Sequence, residues 1–209
     1  MREAMLRWSF FFGGLIILGL GVALTIKGQR FGVGSWDVFH IGLFKQLGLT
    51  IGTWSIIAGI VIVIISAIGM REFPKIGTFI NMTTVGLFID FFNWIIPNPE
   101  TFTFQLTAFI IGIALIGLGS GTYISAELGA GPRDSFMLLI VSKTRLSVRT
   151  ARTIMEVVVA IAGYLLGGPL GVGTVFMAFS LGPIVQFSMQ QSVAVLHKSI
   201  GKREHASTS

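Results

Sequence analysis

The chain has 209 residues, of which 53% are hydrophobic and 11% charged, with a net charge of +6 and no cysteine; its mean hydropathy is +0.83. Roughly 25% charged residues is usual for a water-soluble domain, so lipid is the expected solvent, and the missing thiols exclude disulfides, zinc–thiolate centres and cysteine catalysis. The 15 Lys and Arg stand between apolar segments and never form a basic stripe with interleaved aromatics, which excludes a nucleic-acid partner.

Along the chain, Met1–Arg7 leads into a first apolar run over Trp8–Ile26. This start imitates a secretory signal, but it has no small-residue cleavage site and further apolar runs follow, so it predicts a transmembrane helix. Five more runs are predicted to span: Ile51–Met70, Ile76–Ile96, Phe102–Ile124, Ile154–Gly167 with its flanks, and Thr174–Leu196. A bilayer needs about 20 apolar residues per spanning helix, and no charge interrupts Val157–Leu196. Barrel strands would need alternating segments of about ten residues, which are absent. The predicted fold class is all-α: a membrane bundle of about six spanning helices.

Lys and Arg predict the orientation, because cytoplasmic loops carry the excess of positive charge. With the amino terminus inside, the cytoplasmic segments hold Arg2, Arg7, Arg71, Lys75, Arg133, Lys143, Arg145, Arg149, Arg152, Lys198, Lys202 and Arg203. Only Lys27, Arg30 and Lys45 remain outside, all in the first long connection. Both termini are thus expected in the cytoplasm.

Laid on itself at an offset near 97 residues, the sequence repeats. Gly19-Leu20-Gly21 answers Gly117-Leu118-Gly119, Gly32–Phe39 answers Gly129–Phe136, Leu49-Thr50-Ile51 answers Leu146-Ser147-Val148, and Gly77-Thr78 and Gly86 answer Gly173-Thr174 and Gly182. The expected organisation is a first repeat over 1–100, a second over 101–198 and a disordered cytoplasmic tail over 199–209. Three spans per half are an odd number, so the second copy enters the membrane from the opposite side. Such inverted repeats recur among secondary transporters, with the binding site at the repeat interface; doubling a stable bundle is the plainer reading.

Between the first two spans of each half lies a Gly-x-Gly-(Ser/Pro)-x-Asp unit, Gly32-Val33-Gly34-Ser35-Trp36-Asp37 and Gly129-Ala130-Gly131-Pro132-Arg133-Asp134. The runs that follow, Val38–Leu47 and Ser135–Ser142, are too short to cross alone and predict re-entrant or interfacial helices. Paired glycines allow a tight turn, Ser35 or Pro132 suits a first helical position, and Asp37 or Asp134 falls in the first turn against the positive end of the dipole. Each aspartate is therefore either a capping carboxylate or, with Gly32, Gly34, Gly129, Gly131 and Arg133, part of a substrate or ion site at paired helix N-termini. A fixed carboxylate repels an anion unless it is protonated or paired with Arg133, so cation or proton coupling fits equally well.

Ionisable residues inside apolar runs are functional candidates by default. Asp90, with Asn81 nine residues earlier, is the strongest, although it stands close enough to Pro97 to reach water. Arg149, Arg152 and Glu156 are spaced for an ion-pair ladder that anchors a helix end. His40, one turn after Asp37, reads as a satisfied imidazole before a proton relay. Gly117–Gly121 and Gly163–Gly167 have GxxxG spacing for close helix packing, and Trp8, Trp36, Trp54 and Trp94 fall where an aromatic belt would.

The duplicated Gly-x-Gly-x-x-Asp unit, the six-span hydropathy and the chain length resemble the YczE/YitT-like family of bacterial integral membrane proteins over almost the whole sequence. The resemblance implies a multi-pass plasma-membrane protein of a bacterium; it carries over no catalytic or transport residue. The function expected is a small-molecule secondary transporter or exporter, with a non-transporting membrane scaffold or sensor as the alternative. An enzyme is not expected, because the metalloprotease, nucleophile-elbow and nucleotide-loop motifs are all missing. No cofactor or metal is implied; the expected partners are the lipid bilayer, a small-molecule substrate and, in a chain of this size, a second copy in a homodimer.

Overall fold

The computed structural model describes residues 2–129 and 131–200, and the Arg149 side chain lies outside that description. The described residues form helices and no strand. In chain order they are α1 Arg2–Lys27, a 3-10 turn at Gln29–Phe31, α2 Ser35–Leu47, α3 Ile51–Met70, α4 Ile76–Ile95, α5 Phe102–Ser125, α6 Pro132–Lys143, α7 Val148–Leu165 and α8 Val172–Ile200. Four of them, α1, α3, α5 and α8, are long and apolar enough to cross a bilayer. The predicted spans at α4 and α7 are helical as well, but Asn81, Asp90 and Asn93 on the first and Arg149, Arg152 and Glu156 on the second dilute their hydropathy. Residues 201–209 of the expected disordered tail lie outside the described residues, and 199–200 finish α8.

Local chemistry sets the ends. α7 begins at Val148 rather than near Ile154 because the Ser147 hydroxyl caps it, accepting a hydrogen bond from the Thr150 N–H at 3.1 Å. Thr50 and Thr101 cap α3 and α5 in the same way. At the other end of α7, Gly167 takes a φ of +86° and the Gly168 N–H reaches the Gly163 carbonyl at 2.8 Å, which satisfies carbonyls the last turn leaves open. Gly167 is therefore a helix stop, not the second half of a packing motif; Gly163 alone packs, against the Phe39 backbone. The Gly117–Gly121 pair does face a neighbour, Ile184 and Ser188 on α8.

The centre of the bundle is the contact of α1 with α5. A Cβ at Gly21 would stand 2.9 Å from the Gly112 carbonyl oxygen, and one at Gly119 would stand 2.7 Å from the Gly14 carbonyl oxygen. As one helix advances the other recedes, so the two run antiparallel at backbone contact, a closeness that only small residues permit. Around this pair α4 lies on α1 through Gly19 and Phe88, and α8 lies on α5 through Gly117 and Ile184. The short helices cross over: α2 packs on α7 and α6 packs on α3. Val22, Ile26, Val33, Val38, Ile89, Ile113 and Met177 fill the middle.

Candidate functional site

Both Gly-x-Gly units are helix starts, as their composition requires. Gly34 and Gly131 cap α2 and α6, with Pro132 at the first position of α6. Gly32 has a φ of +102°, and a Cβ there would stand 2.8 Å from the Gly171 nitrogen, so glycine is needed for conformation and for space. Gly129 stands equally close to α4, 2.8 Å from the Thr78 nitrogen by the same measure. Each turn is thus pressed against the start of the third long helix of the opposite half.

The first turn delivers Trp36, Asp37 and His40 into the protein, all buried. The Asp37 Oδ1 lies 3.8 Å from His40 Nδ1 and 3.9 Å from Arg133 Nη2, which comes from the second turn. The Arg133 guanidinium also stands over the Trp36 ring at 5.1 Å, within cation–π range. Trp36 and Arg133 occupy matching positions of the two units, so the units touch through equivalent residues. Among the described residues, Asp37 Oδ1, both ring nitrogens of His40 and Trp36 Nε1 have no hydrogen-bond partner. Buried polar atoms in proteins are nearly always paired; here three of them stand beside a carboxylate oxygen that is itself without a partner among the described residues. Asp37 stands in the first turn of α2, against the positive end of the helix dipole, and its Oδ1 has no hydrogen-bond partner among the described residues.

The second turn stands in different polar company. A Cβ at Gly131 would stand 3.4 Å from the Tyr123 hydroxyl, 3.7 Å from Asn81 Oδ1 and 3.8 Å from Asp134 Oδ2. Three polar groups from α5, α4 and α6 therefore converge on a residue without a side chain, and Asn81 Nδ2 has no hydrogen-bond partner among the described residues. Arg152 and Arg133 are the cations acting on Asp134 through space. The matching position beside Gly34 holds Asp37 Oδ2 at 2.9 Å and the Met177 methyl at 3.6 Å, so the two turns are alike in backbone and unlike in chemistry. No group of three or more His, Asp or Glu side chains among the described residues could hold a metal ion.

Comparison with known proteins gives the family. A family model described as "Family of unknown function (DUF6198)" matches residues 5–190. The chain belongs to that family. It is 47% identical over 205 residues to "Uncharacterized membrane protein YczE" of Bacillus subtilis (strain 168), covering 98% of this chain and 95% of that protein. It is 36% identical over 177 residues to an "Uncharacterized protein" of Haemophilus influenzae, covering 83% and 78%. To "Uncharacterized protein YyaS" of Bacillus subtilis it is 28% identical over 172 residues, covering 81% and 85%. No solved structure matches. The YczE-like resemblance holds, and with four bilayer-length apolar helices this DUF6198 member is a membrane protein.

Other expected site residues of the DUF6198 chain lie apart from the two turns. Asp90 accepts hydrogen bonds from the Gly52 N–H at 2.8 Å and from the Thr50 hydroxyl, so it fastens the end of α4 to the start of α3. Asp90→Ala is expected to lower stability by about 1–2 kcal/mol, the worth of a charge-assisted cap; thermal melting of the purified protein measures it. The Arg152–Glu156 rung of the anticipated ladder is absent among the described ion pairs, while Arg152 lies within electrostatic reach of Asp134 and Tyr123. Trp36 is not a belt residue: Ile62, Met137, Ala151 and Met155 enclose it. Tyr123 escaped the sequence reading altogether, its only signal being a polar-tipped aromatic in a glycine-rich apolar helix.

Proposed function

We propose that this DUF6198 protein is a small-molecule secondary transporter or exporter of a bacterial plasma membrane, with both termini cytoplasmic and its site between two inverted three-span repeats. The reading rests on one observation above all, that Arg133 of the second Gly-x-Gly unit meets Asp37 of the first beside buried polar atoms without partners. Reciprocal contacts support the inverted repeat: the close approaches Gly14–Gly119 and Gly112–Gly21, and Gly19–Phe88 and Gly117–Ile184, exchange into one another under offsets of 96 to 98 residues. In an alternating-access protein such halves rock about a fixed site near the midplane. Asp37, His40 and Arg133 supply a carboxylate that a proton and a guanidinium compete to neutralise, which suits proton coupling.

A second reading, a membrane scaffold or sensor, is favoured by the packing. Two open cavities lie elsewhere, one between α3 and α6 and one at the ends of α1, α2 and α5, and Gly32 and Gly129 are in backbone contact with the opposite half. Transport therefore requires this interface to open. Proteoliposomes with a trapped pH dye, challenged with a panel of small polar solutes, separate the readings. At least one solute is expected to move protons with the wild type, and Asp37→Asn and Asp134→Asn to lose about tenfold or more of that flux, as removal of an intramembrane carboxylate from its relay implies. Equal flux in all three proteins overturns the site, and silence across the panel favours the scaffold.

A further inference from the structure

Lys27, Arg30 and Lys45, the three cations that the charge distribution sets apart from the other twelve, come together in space. They line one open cleft of about 580 Å³ where α1 and α2 end and α5 begins, and no Asp or Glu is among its lining residues. Part of their hydrogen-bonding capacity is used internally: Lys27 Nζ donates to the Asn93 carbonyl at 2.9 Å and to Asn98 Oδ1 at 2.8 Å, and Lys45 Nζ donates to the Gly167 carbonyl at 2.8 Å. These acceptors are neutral, so they orient the ammonium groups without cancelling their charge. An ammonium has three donors and a guanidinium five, which leaves one on Lys27, two on Lys45 and the fork of Arg30, whose plane rests over the Phe102 ring at 5.7 Å. None of the three is in a described ion pair, so an anion entering the cleft meets positive charge that no described carboxylate cancels.

A second observation narrows the anion. Gln105 lines the same cleft; its Nε2 donates to the Pro99 carbonyl at 2.9 Å, which fixes the amide so that Oε1, buried and without a hydrogen-bond partner among the described residues, is an acceptor awaiting a donor. We propose that this cleft is a phosphate-binding site, its cations holding the anionic oxygens and Gln105 accepting from a hydroxyl beside them. Hydrogen phosphate supplies that hydroxyl as P–OH, and a phosphoglycerol lipid headgroup supplies it from its glycerol. The site is independent of the transport reading.

Calorimetric titration of the detergent-purified full chain with inorganic phosphate, with sulfate as the control lacking any hydroxyl, tests the free source. Native mass spectrometry from vesicles of equal phosphatidylglycerol and phosphatidylcholine tests the lipid source. Phosphate binding, or selective retention of phosphatidylglycerol, is expected, and Arg30→Gln and Lys45→Gln should each weaken it about tenfold, as loss of a charge-assisted hydrogen bond requires, with Lys45→Arg restoring most of it. Circular dichroism checks that each variant stays folded. Either ligand weakened by the variants supports the site; sulfate bound as tightly as phosphate, or wild-type binding of both ligands that the variants leave unchanged, overturns it, as does the absence of both.

Discussion

Gly119→Leu is expected to abolish the folded bundle, whereas Gly13→Ala, on the helix it faces, is expected to leave it intact or slightly stabilised. A Cβ at Gly119 would stand 2.5 Å from the Leu18 nitrogen and 2.7 Å from the Gly14 carbonyl oxygen, while one at Gly13 meets nothing within 4 Å. The obstructing atoms are backbone, so no rotamer change relieves the clash and α1 must move away from α5. Overpacking by single methylenes costs about 1–3 kcal/mol; four added carbons at backbone contact, in an interface held by close van der Waals approach, exceed that and remove most of the stability of an ordinary domain. Gly13→Ala instead gains helix propensity, up to about 1 kcal/mol. Size-exclusion profiles and melting temperatures in detergent read both variants, and a monodisperse Gly119→Leu melting with the wild type would show that α1 and α5 are not packed this way.

Removing Arg133 should cost more in the wild type than in a protein from which the Asp37 charge has already been taken. Asp37 is 3% exposed and has no hydrogen bond to its Oδ1, so Arg133 at 3.9 Å and His40 at 3.8 Å are its charged or chargeable company. Arg133→Gln strips a buried carboxylate of its cation, a change worth 3–5 kcal/mol for fully buried pairs; with the Arg133 side chain 44% exposed, solvent screening brings the expectation to about 1–2 kcal/mol. In the Asp37→Asn background the charge to be neutralised is gone, and the same substitution should cost about 0.5 kcal/mol or less, so the double-mutant cycle yields a coupling of about 1 kcal/mol. Arg133→Lys is expected to recover little, since a compact ammonium neither forks nor stacks over Trp36. Additive costs would mean that the two Gly-x-Gly units do not act on each other.

The parts of the site that the sequence displayed are those fixed by backbone chemistry. Gly32, Gly34, Gly129 and Gly131 announced turns, and Asp37 and Asp134 stand in the first turns of α2 and α6 as their spacing required. Side-chain company was not legible. Asp90 looked like an intramembrane charge because hydropathy sees only the chain position, while Thr50 and Gly52, forty and thirty-eight residues away, consume it. Trp36 sat at a segment end and read as a lipid anchor, yet α3, α6 and α7 close over it. Arg152 had a helical partner in Glu156 by spacing, but surface pairs of that kind are worth only a few tenths of a kcal/mol, too little to fix a side chain that also lies in electrostatic reach of Asp134 on a neighbouring helix.

Composition alone decided that this chain lives in lipid and is helical, because in hydrocarbon every backbone N–H and C=O must be satisfied within the segment and only long apolar helices do so. Internal self-similarity likewise decided that one Gly-x-Gly-x-x-Asp unit recurs. Which residue of one unit meets which residue of the other, and that three solitary cations share a cleft, depended on how α1 seats against α5 and how α2 and α6 cross to the opposite half. In lipid that seating is governed by van der Waals fit and a few polar contacts rather than by burial from water, and such fit is a property of two surfaces together, written in neither segment by itself.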